Sequence, residues 1–281
     1  MSWQYPQMDL HDAVCLVTGA STGIGRASAI ALAEHGAHVR AGSRTPASLV
    51  GAHPLIEPIL LDVRDPESCR SAIGAGVDVL VNNAGYGVEG TIEEIGDDDL
   101  LEQYEVNVFA VWRLCRLALP GMRAAGGGAI VNVSSFGGQA PFPNIGAYRS
   151  SKFAVEGLTW TLHLETARLG VRVASVQPGL TASEFDGNMR RGRAFQEHGP
   201  YSELRRSAAA TYPRMSPVAL DPADVASAMV AWLLAESGPL HLRVGEDAER
   251  VIAAICSGDE DYERFLVHDL GFDWHPLRGA T

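Results

Sequence analysis

The sequence predicts a doubly wound α/β fold: about seven parallel strands with helices on both faces, in a single domain over residues 1–281. Three observations carry this. Short apolar runs alternate with helical patterns along the chain. The runs are continuously apolar, as strands buried on both faces of a parallel sheet are. Repeated strand–helix units of this length wind into one sheet, and 281 residues are enough to bury a sizeable core.

In order, the strand runs are 13–18, 38–42, 56–61, 78–82, 129–134, 171–177 and, more weakly, 240–244. Helical patterns cover 24–35, 66–74, 98–125, 147–169 and 222–236. Pro66 and Pro222 each follow an aspartate, the signature of an N-cap with proline in the first turn. There is no linker and no internal repeat. Residues 181–220 break the alternation: they are polar and carry Arg190, Arg191, Arg193, Arg205 and Arg206. This stretch reads either as a solvated surface insertion or as a substrate lid. Its arginines would suit an acidic substrate, but solvated arginines explain them more simply.

Charged residues at 20% and hydrophobic residues at 46% fit a globular protein. The net charge of −12 argues against nucleic acid, whose phosphates demand a basic face, and against an anionic membrane surface. Cysteines at 15, 69, 115 and 256 show no metal-ligand spacing and no disulfide framework, and Cys15 reads as a small buried hydrophobe. No metal site is expected. Residues 1–12 lack the basic and apolar regions of a signal peptide, no apolar stretch approaches a membrane span, and a cytoplasmic location is expected.

The first strand runs straight into Thr18-Gly19-Ala20-Ser21-Thr22-Gly23-Ile24-Gly25, and a helix follows. Glycines there permit a tight turn and close backbone approach, and N–H groups at the helix start receive a pyrophosphate. The spacing is G-x3-G-x-G, and its strand-before, helix-after context points to a dinucleotide. The second strand ends Ala41-Gly42-Ser43-Arg44, without the acid that grips a ribose 2′-hydroxyl. Arg44 with Ser43 would suit a 2′-phosphate, so NADP(H) is favoured over NAD(H). Asp62-Val63 ends the third strand, where a carboxylate would accept from an adenine amino group, and Asn82-Asn83-Ala84-Gly85 ends the fourth. Ligands of such sheets bind beyond the carboxyl ends of the strands, where all these motifs lie.

Tyr148 and Lys152 are four apart on a helix and share one face. A free tyrosine titrates near about 10, and a neighbouring ammonium draws that value toward the working range of a general base. Chance sets a lone lysine four after one of seven tyrosines roughly once in 40 placements, so the spacing alone has modest weight. Composition adds to it. Of 22 basic residues only Lys152 is lysine, in a chain that uses arginine wherever else a cation is wanted. Ser135, thirteen residues before Tyr148 at the end of the fifth strand, would turn its hydroxyl into the same crevice; strand alternation lets only one of Ser134 and Ser135 face it, and Ser135 is favoured. The Ser-Ser-x-Gly-Gly stretch also reads as a simple turn. Asn107, polar within an apolar helical stretch, needs a buried partner, and a helix carbonyl would suffice.

Together these features resemble the short-chain dehydrogenase/reductase family in its compact, Rossmann-like single-domain form, over about residues 10 to 250. The resemblance rests on Gly19-x3-Gly23-x-Gly25, Asn82-Asn83-Ala84-Gly85, Asn107, Ser135, Tyr148-x3-Lys152 and Pro178-Gly179. It implies a tetrad. Tyr148 would be the general acid or base, Ser135 would polarise the carbonyl, Lys152 would tune the tyrosine and hold the nicotinamide ribose, and Asn107 would anchor a water relay. It also implies cofactor contacts from Ser21, Ile24, Val63, Asn83, Ala84, Gly85, Pro178, Gly179, Thr181 and Ser183. Where the family usually has threonine four past that glycine, this chain has Ser183, and Thr181 could shift into the role. The connection between Asp62 and Asp78 is shorter than most of the family's, so its helix should be clipped.

The reaction implied is hydride transfer between a ketone or aldehyde and its alcohol, in a homotetramer or homodimer built through the two long helices. An extended relative acting on nucleotide sugars would need a larger C-terminal domain and another glycine spacing, and an enoyl reductase a longer Tyr–Lys gap. A non-catalytic NADP-binding redox sensor would tend to lose Tyr148 or Lys152, and an NAD-dependent alcohol or steroid dehydrogenase remains the second reading. The pocket should be lined by 136–142, the Tyr86 region and 181–220, whose side chains suit an apolar or aromatic carbonyl substrate.

Overall fold

The structure, a computed structural model, describes residues 3–4, 8–185 and 187–274. Residues 1–2 and 5–7 of the N-terminal stretch read above, and Asp186 in the polar segment, lie outside these. The seven expected strands are present, each within one residue of its predicted bounds: β1 (Val14–Thr18), β2 (His38–Ser43), β3 (Ile56–Leu60), β4 (Val79–Asn82), β5 (Gly128–Val133), β6 (Val171–Pro178) and β7 (His241–Val244). They form one parallel sheet in the order β3-β2-β1-β4-β5-β6-β7. The winding reverses between β1 and β4, and a crevice opens there at the carboxyl ends. Two short accessory pairs flank the sheet: Trp3–Gln4 with Ser237–Gly238, antiparallel, and Val88–Glu89 with Arg190–Arg191, parallel.

The helices are α1 (Gly23–Glu34), α2 (Pro66–Ile73), α3 (Asp97–Tyr104), α4 (Ala110–Ala125), α5 (Gly146–Thr166), α6 (Ser202–Met215), α7 (Pro222–Leu234), α8 (Glu246–Cys256) and α9 (Asp259–Arg264). Strand alternation divides the core. Cys15 and Val17 of β1, with Val79 and Val81, face Leu32 of α1 and Met229 of α7. Leu16, Leu80 and Ile130 face the other way, onto α2, α4 and α5 through Cys69, Leu114 and Leu162. Burial, with a smaller push from Asp78, drives the Cys15 thiol up to about 12, an inert packing group. The expected caps form: Asp65 accepts from Glu67 N and Ser68 N, and Asp221 from Ala223 N. The α2 helix is clipped to eight residues. No helix among the described residues is long and apolar enough to cross a membrane.

Two expectations need correcting. The helix read as continuous over 98–125 is interrupted by a π-helical turn at Glu105–Phe109. The 181–220 segment, read as loop, contains α6. Its buried face is Leu204, Ser207, Ala208, Thr211 and Met215, too small and polar to leave an apolar stripe in the sequence. Beyond the sequence reading, α8, α9 and a π turn at Phe265–Asp269 build a third cluster, in which Val251, Ile252, Leu266 and Phe272 cover Phe136 and Phe142.

Candidate active site

The glycine turn after β1 has the geometry a pyrophosphate needs. Gly19 and Gly23 have φ of +62° and +52°, in the left-handed region that favours glycine. A Cβ on Gly25 would stand 2.3 Å from Gly19 O, and one on Gly23 would meet Ser183 Cβ at 3.1 Å. No side chain caps α1 at Thr22 and no acid lies in its first turn, so its N–H groups face the crevice mouth beside Ser21 and Ile24. The turn is stapled to the end of β4. Asn83 Nδ2 donates to Thr18 O (3.0 Å) and Gly19 O (3.1 Å), while Thr18 Oγ1 accepts from Asn83 N and Ala84 N, both at 3.0 Å.

At the end of β2, Gly42 leaves room for Leu61, since a Cβ there would stand 2.5 Å from Leu61 Cδ2. Ser43 is buried and accepts from Thr45 N at 3.2 Å. Arg44 is exposed, and among the described residues no carboxylate lies within ion-pair distance of it. Asp62 is engaged: Arg64 Nε and Nη2 grip both its oxygens, at 3.0 and 2.6 Å, and hold its carboxyl below the usual range. An adenine amino group would have to share it. Val63 is buried, its carbonyl accepting from Arg113 Nη1 at 2.8 Å.

Asn107 sits in the π turn, a break in helical pattern that often marks functional positions. Its Oδ1 accepts from Tyr86 N (3.2 Å), and its Nδ2 donates to Tyr86 O (2.9 Å) and Ser151 Oγ (3.0 Å). Ser151 in turn donates to Tyr148 O at 2.7 Å. Gly85 runs against Asn107 Oδ1, 3.3 Å from where its Cβ would be. The partner of Asn107 is therefore the loop after Gly85, with α5 bound in, where a helix carbonyl would have sufficed. Lys152 lies one turn past Tyr148 and is buried; its Nζ donates to Val133 O at 2.7 Å and stands 5.8 Å from the Tyr148 ring centroid. Burial pushes the Lys152 ammonium down to about 8, against a smaller upward pull from Glu156. Ser135 lies two residues past the end of β5 and its Oγ accepts from Gly137 N at 3.0 Å. Ser134 turns the other way, against Gly138 and beside Glu156.

Pro178 ends β6 and Gly179 N donates to Val244 O at 2.8 Å. Thr181 Oγ1 is spent on Gly179 O (3.0 Å), whereas Ser183 accepts from Phe185 N (3.3 Å) and lies against Gly23. The structure thus brings Ser183, rather than Thr181, to the glycine turn.

Sequence reasoning missed several groups. Asp247 of α8 is buried and accepts from Leu180 N at 2.7 Å, and a Cβ on Gly179 would collide with it. Phe185 stacks at 5.2 Å on Tyr148. Phe136 and Phe142, expected at the pocket, are instead buried in the third cluster, Phe136 beneath the Arg149 guanidinium at 4.6 Å. The five arginines singled out in 181–220 have carboxylate partners: Arg190 with Glu102 (3.4 Å), Arg191 with Glu197 (2.7 Å), Arg193 with Asp98 (3.0 Å) and Glu102 (2.9 Å), Arg205 with Glu94 (2.9 Å), and Arg206 with Glu203 (3.8 Å). They are not waiting for an acidic substrate.

This sheet, with a glycine turn at its switch point and a Tyr-x3-Lys helix beside the β5 end, defines a dinucleotide-dependent oxidoreductase class. The comparisons agree. The short chain dehydrogenase family pattern matches residues 13–194. A 3-ketodihydrosphingosine reductase of Bacteroides thetaiotaomicron is 38% identical over 181 residues, covering 62% of this chain and 66% of that enzyme. A short-chain dehydrogenase of Streptomyces avermitilis superimposes with a TM-score of 0.78 at 35% identity, covering 96% of this chain and 98% of that one. One from Burkholderia cenocepacia, solved in complex with NADP, gives 0.74 at 26% identity, over 93% and 99%. The chain belongs to the short-chain dehydrogenase family, and so to NAD(P)-binding enzymes that act on CH–OH groups.

Proposed function

We propose that the chain is an NADP(H)-dependent reductase that interconverts a ketone or aldehyde and its alcohol, with Tyr148 as general acid and base. The observation that carries this reading is a series of hydrogen bonds on neighbouring stretches of chain. It links the glycine turn to Asn83, the following loop to Asn107, Asn107 to Ser151 and Tyr148, and Lys152 to the end of β5. Groups so tied share one crevice and are preorganised in it.

The cradle that a Cβ at Gly19, Gly23 or Gly25 would fill suits the pyrophosphate, and Arg44, exposed and with no carboxylate within ion-pair distance among the described residues, suits a 2′-phosphate. Asp62-Val63 would hold the adenine, Ala84 and Gly85 would flank the ribose, and Pro178, Gly179 and Ser183 would meet the nicotinamide. When bound, the nicotinamide supplies or takes up the hydride. In reduction, Tyr148 gives its phenolic proton to the carbonyl oxygen, and the Lys152 ammonium stands where negative charge then develops on the tyrosine. Ser135 accepts from Gly137 N, which leaves its hydroxyl hydrogen to polarise the same carbonyl. Asn107 fixes the loop and the helix that together frame the site.

The substrate is an apolar or aromatic carbonyl compound, as Phe185 against Tyr148, and Met189 beside Gly87, would pack against it. The 181–215 segment is the wall that closes over it. Two copies would meet through α4 and α5, whose outward Trp112, Phe153, Trp160 and Leu164, with Phe109 of the π turn before α4, leave an exposed apolar stripe. A ketone and aldehyde panel with NADPH and with NADH, followed by loss of the reduced-nicotinamide absorbance, tests the reading. Reduction of bulky apolar ketones, faster with NADPH, is expected. Cofactor binding without turnover of any carbonyl would favour the sensor reading instead.

A further inference from the structure

The i+4 series that begins with Tyr148 and Lys152 continues to Glu156, so three functional groups of opposite character stand in one row along α5. Glu156 is buried, 7% exposed, and faces away from the crevice toward the β6–β7 edge. Its Oε2 accepts from Ser175 Oγ on β6 at 2.9 Å and lies 2.9 Å from His241 Nδ1 on β7. Ser175 and His241 are register partners, so the sheet itself sets this pair. Ser134 and Gln177 approach the same carboxylate closely enough to act on it, without closing a hydrogen bond in this geometry. Burial alone would push the Glu156 carboxyl up; these surrounding donors outweigh it and hold it below the usual range. A buried carboxylate kept ionised this way needs a reason, because desolvation alone opposes it.

Lys152 supplies the reason. It is buried one turn before Glu156 on the same helix, where Gly138 packs against α5, its Cβ position 2.8 Å from Glu156 Cγ and 3.0 Å from the Lys152 main-chain carbonyl oxygen. Among the described residues neither Lys152 nor Arg149, one residue from Tyr148 and also buried, has a carboxylate within ion-pair distance; Arg149 is held by Ala140 O and the Phe136 ring, whereas Lys152 has Glu156 one turn further along its own helix face. An arginine stays charged without help; a buried lysine does not. We propose that Glu156 is a positioning residue for the reaction proposed above: anchored by Ser175 and His241, it supplies the counter-charge that keeps the Lys152 ammonium protonated in a dry crevice. Other titratable groups facing the cluster are few. Tyr148 lies on the crevice side of Lys152, and His163, further along α5, is held below its ordinary value by burial and by His241.

The inference rests on the functional reading, but its test does not. Lys152 is the sole lysine in 281 residues, so protein grown on lysine labelled with 13C at Cε shows one lysine side-chain signal. Its pH titration in the cofactor-free protein reads Lys152 alone. In Glu156→Gln the midpoint should fall by about one pH unit, and Glu156→Asp, which keeps the charge, should recover most of it. If Glu156→Gln does not fold, Glu156→Met, close in volume and apolar, carries the same expectation. The alkaline limb of the reductive pH profile should move with the midpoint. An unchanged lysine midpoint in the neutral variants would overturn the proposal. A chain that turns over no carbonyl, with its lysine midpoint shifted as expected, would instead sink the functional reading and leave this coupling standing.

Discussion

The wall of the crevice built from residues 18–152 is held by buried neutral hydrogen bonds and apolar packing, whereas the wall built from 181–215 is pinned mainly by ion pairs. On the first, Asn83, Thr18 and Asn107 bond to backbone groups at 2.9–3.2 Å. On the second, Arg190, Arg191 and Arg193 reach carboxylates from positions about half exposed. Exposed pairs are weak and screened over about 8 Å at physiological salt, while buried dipoles hardly feel salt at all. The difference teaches which of the two stretches should keep its shape in salt and which should loosen.

Four experiments break or sharpen that contrast. The largest effect should come from Glu94, which with Asp99 (accepting from Arg193 N at 2.8 Å) is a buried anchor of the second wall. It accepts from Arg205, Gln196 N and Thr91 N, and its side chain is only 6% exposed. Glu94→Ala should cost on the order of 3 kcal/mol in denaturant unfolding, since it strands a buried guanidinium; loss of only a few tenths would mean Glu94 does not anchor this wall. Gly25→Ala should cost about 2 kcal/mol by overpacking against Gly19 O and abolish the thermal upshift that NADPH produces, because the first wall cannot relax. Arg44→Ala should reduce the preference for NADPH over NADH by about tenfold in kcat/KM, leaving NADH kinetics unaltered. An unchanged ratio would mean another group reads the phosphate. The smallest effect should be that of salt: raising ionic strength should increase KM for the carbonyl substrate by about twofold without changing cofactor affinity through the glycine turn, and Arg193→Ala should remove part of that dependence.

The pH profile adds a signed expectation. Lys152 loses its proton as pH rises through about 8, so reductive kcat/KM should decline above that value and be level below it. A profile flat to pH 10 would mean the lysine charge plays no part.

The first wall was legible in the sequence and the second was not, for a physical reason. The glycine turn, the strand ends and the Tyr148–Lys152 spacing are local patterns whose meaning lies within a few residues. The pairs that hold the rest are long-range: Glu94 with Arg205 spans 111 residues, Glu156 with His241 spans 85, and Asp247 with Leu180 spans 67. Nothing in a single sequence links such partners. The π turn at Asn107 was hidden because its neighbours keep an apolar helical spacing, and α6 because its buried face is small and polar. Phe136 and Phe142 misled for the opposite reason: aromatic residues near a site look like pocket lining until the helices that bury them are known.

The central proposal is that Tyr148 moves the proton and that cofactor binding does not depend on its hydroxyl. Tyr148→Phe removes one hydroxyl and leaves the ring to pack against Phe185. With a ketone found in the panel, kcat for NADPH oxidation should fall by roughly 10²- to 10⁴-fold, with NADPH affinity unchanged by fluorescence titration. Turnover within a few-fold of the unaltered enzyme would contradict the account.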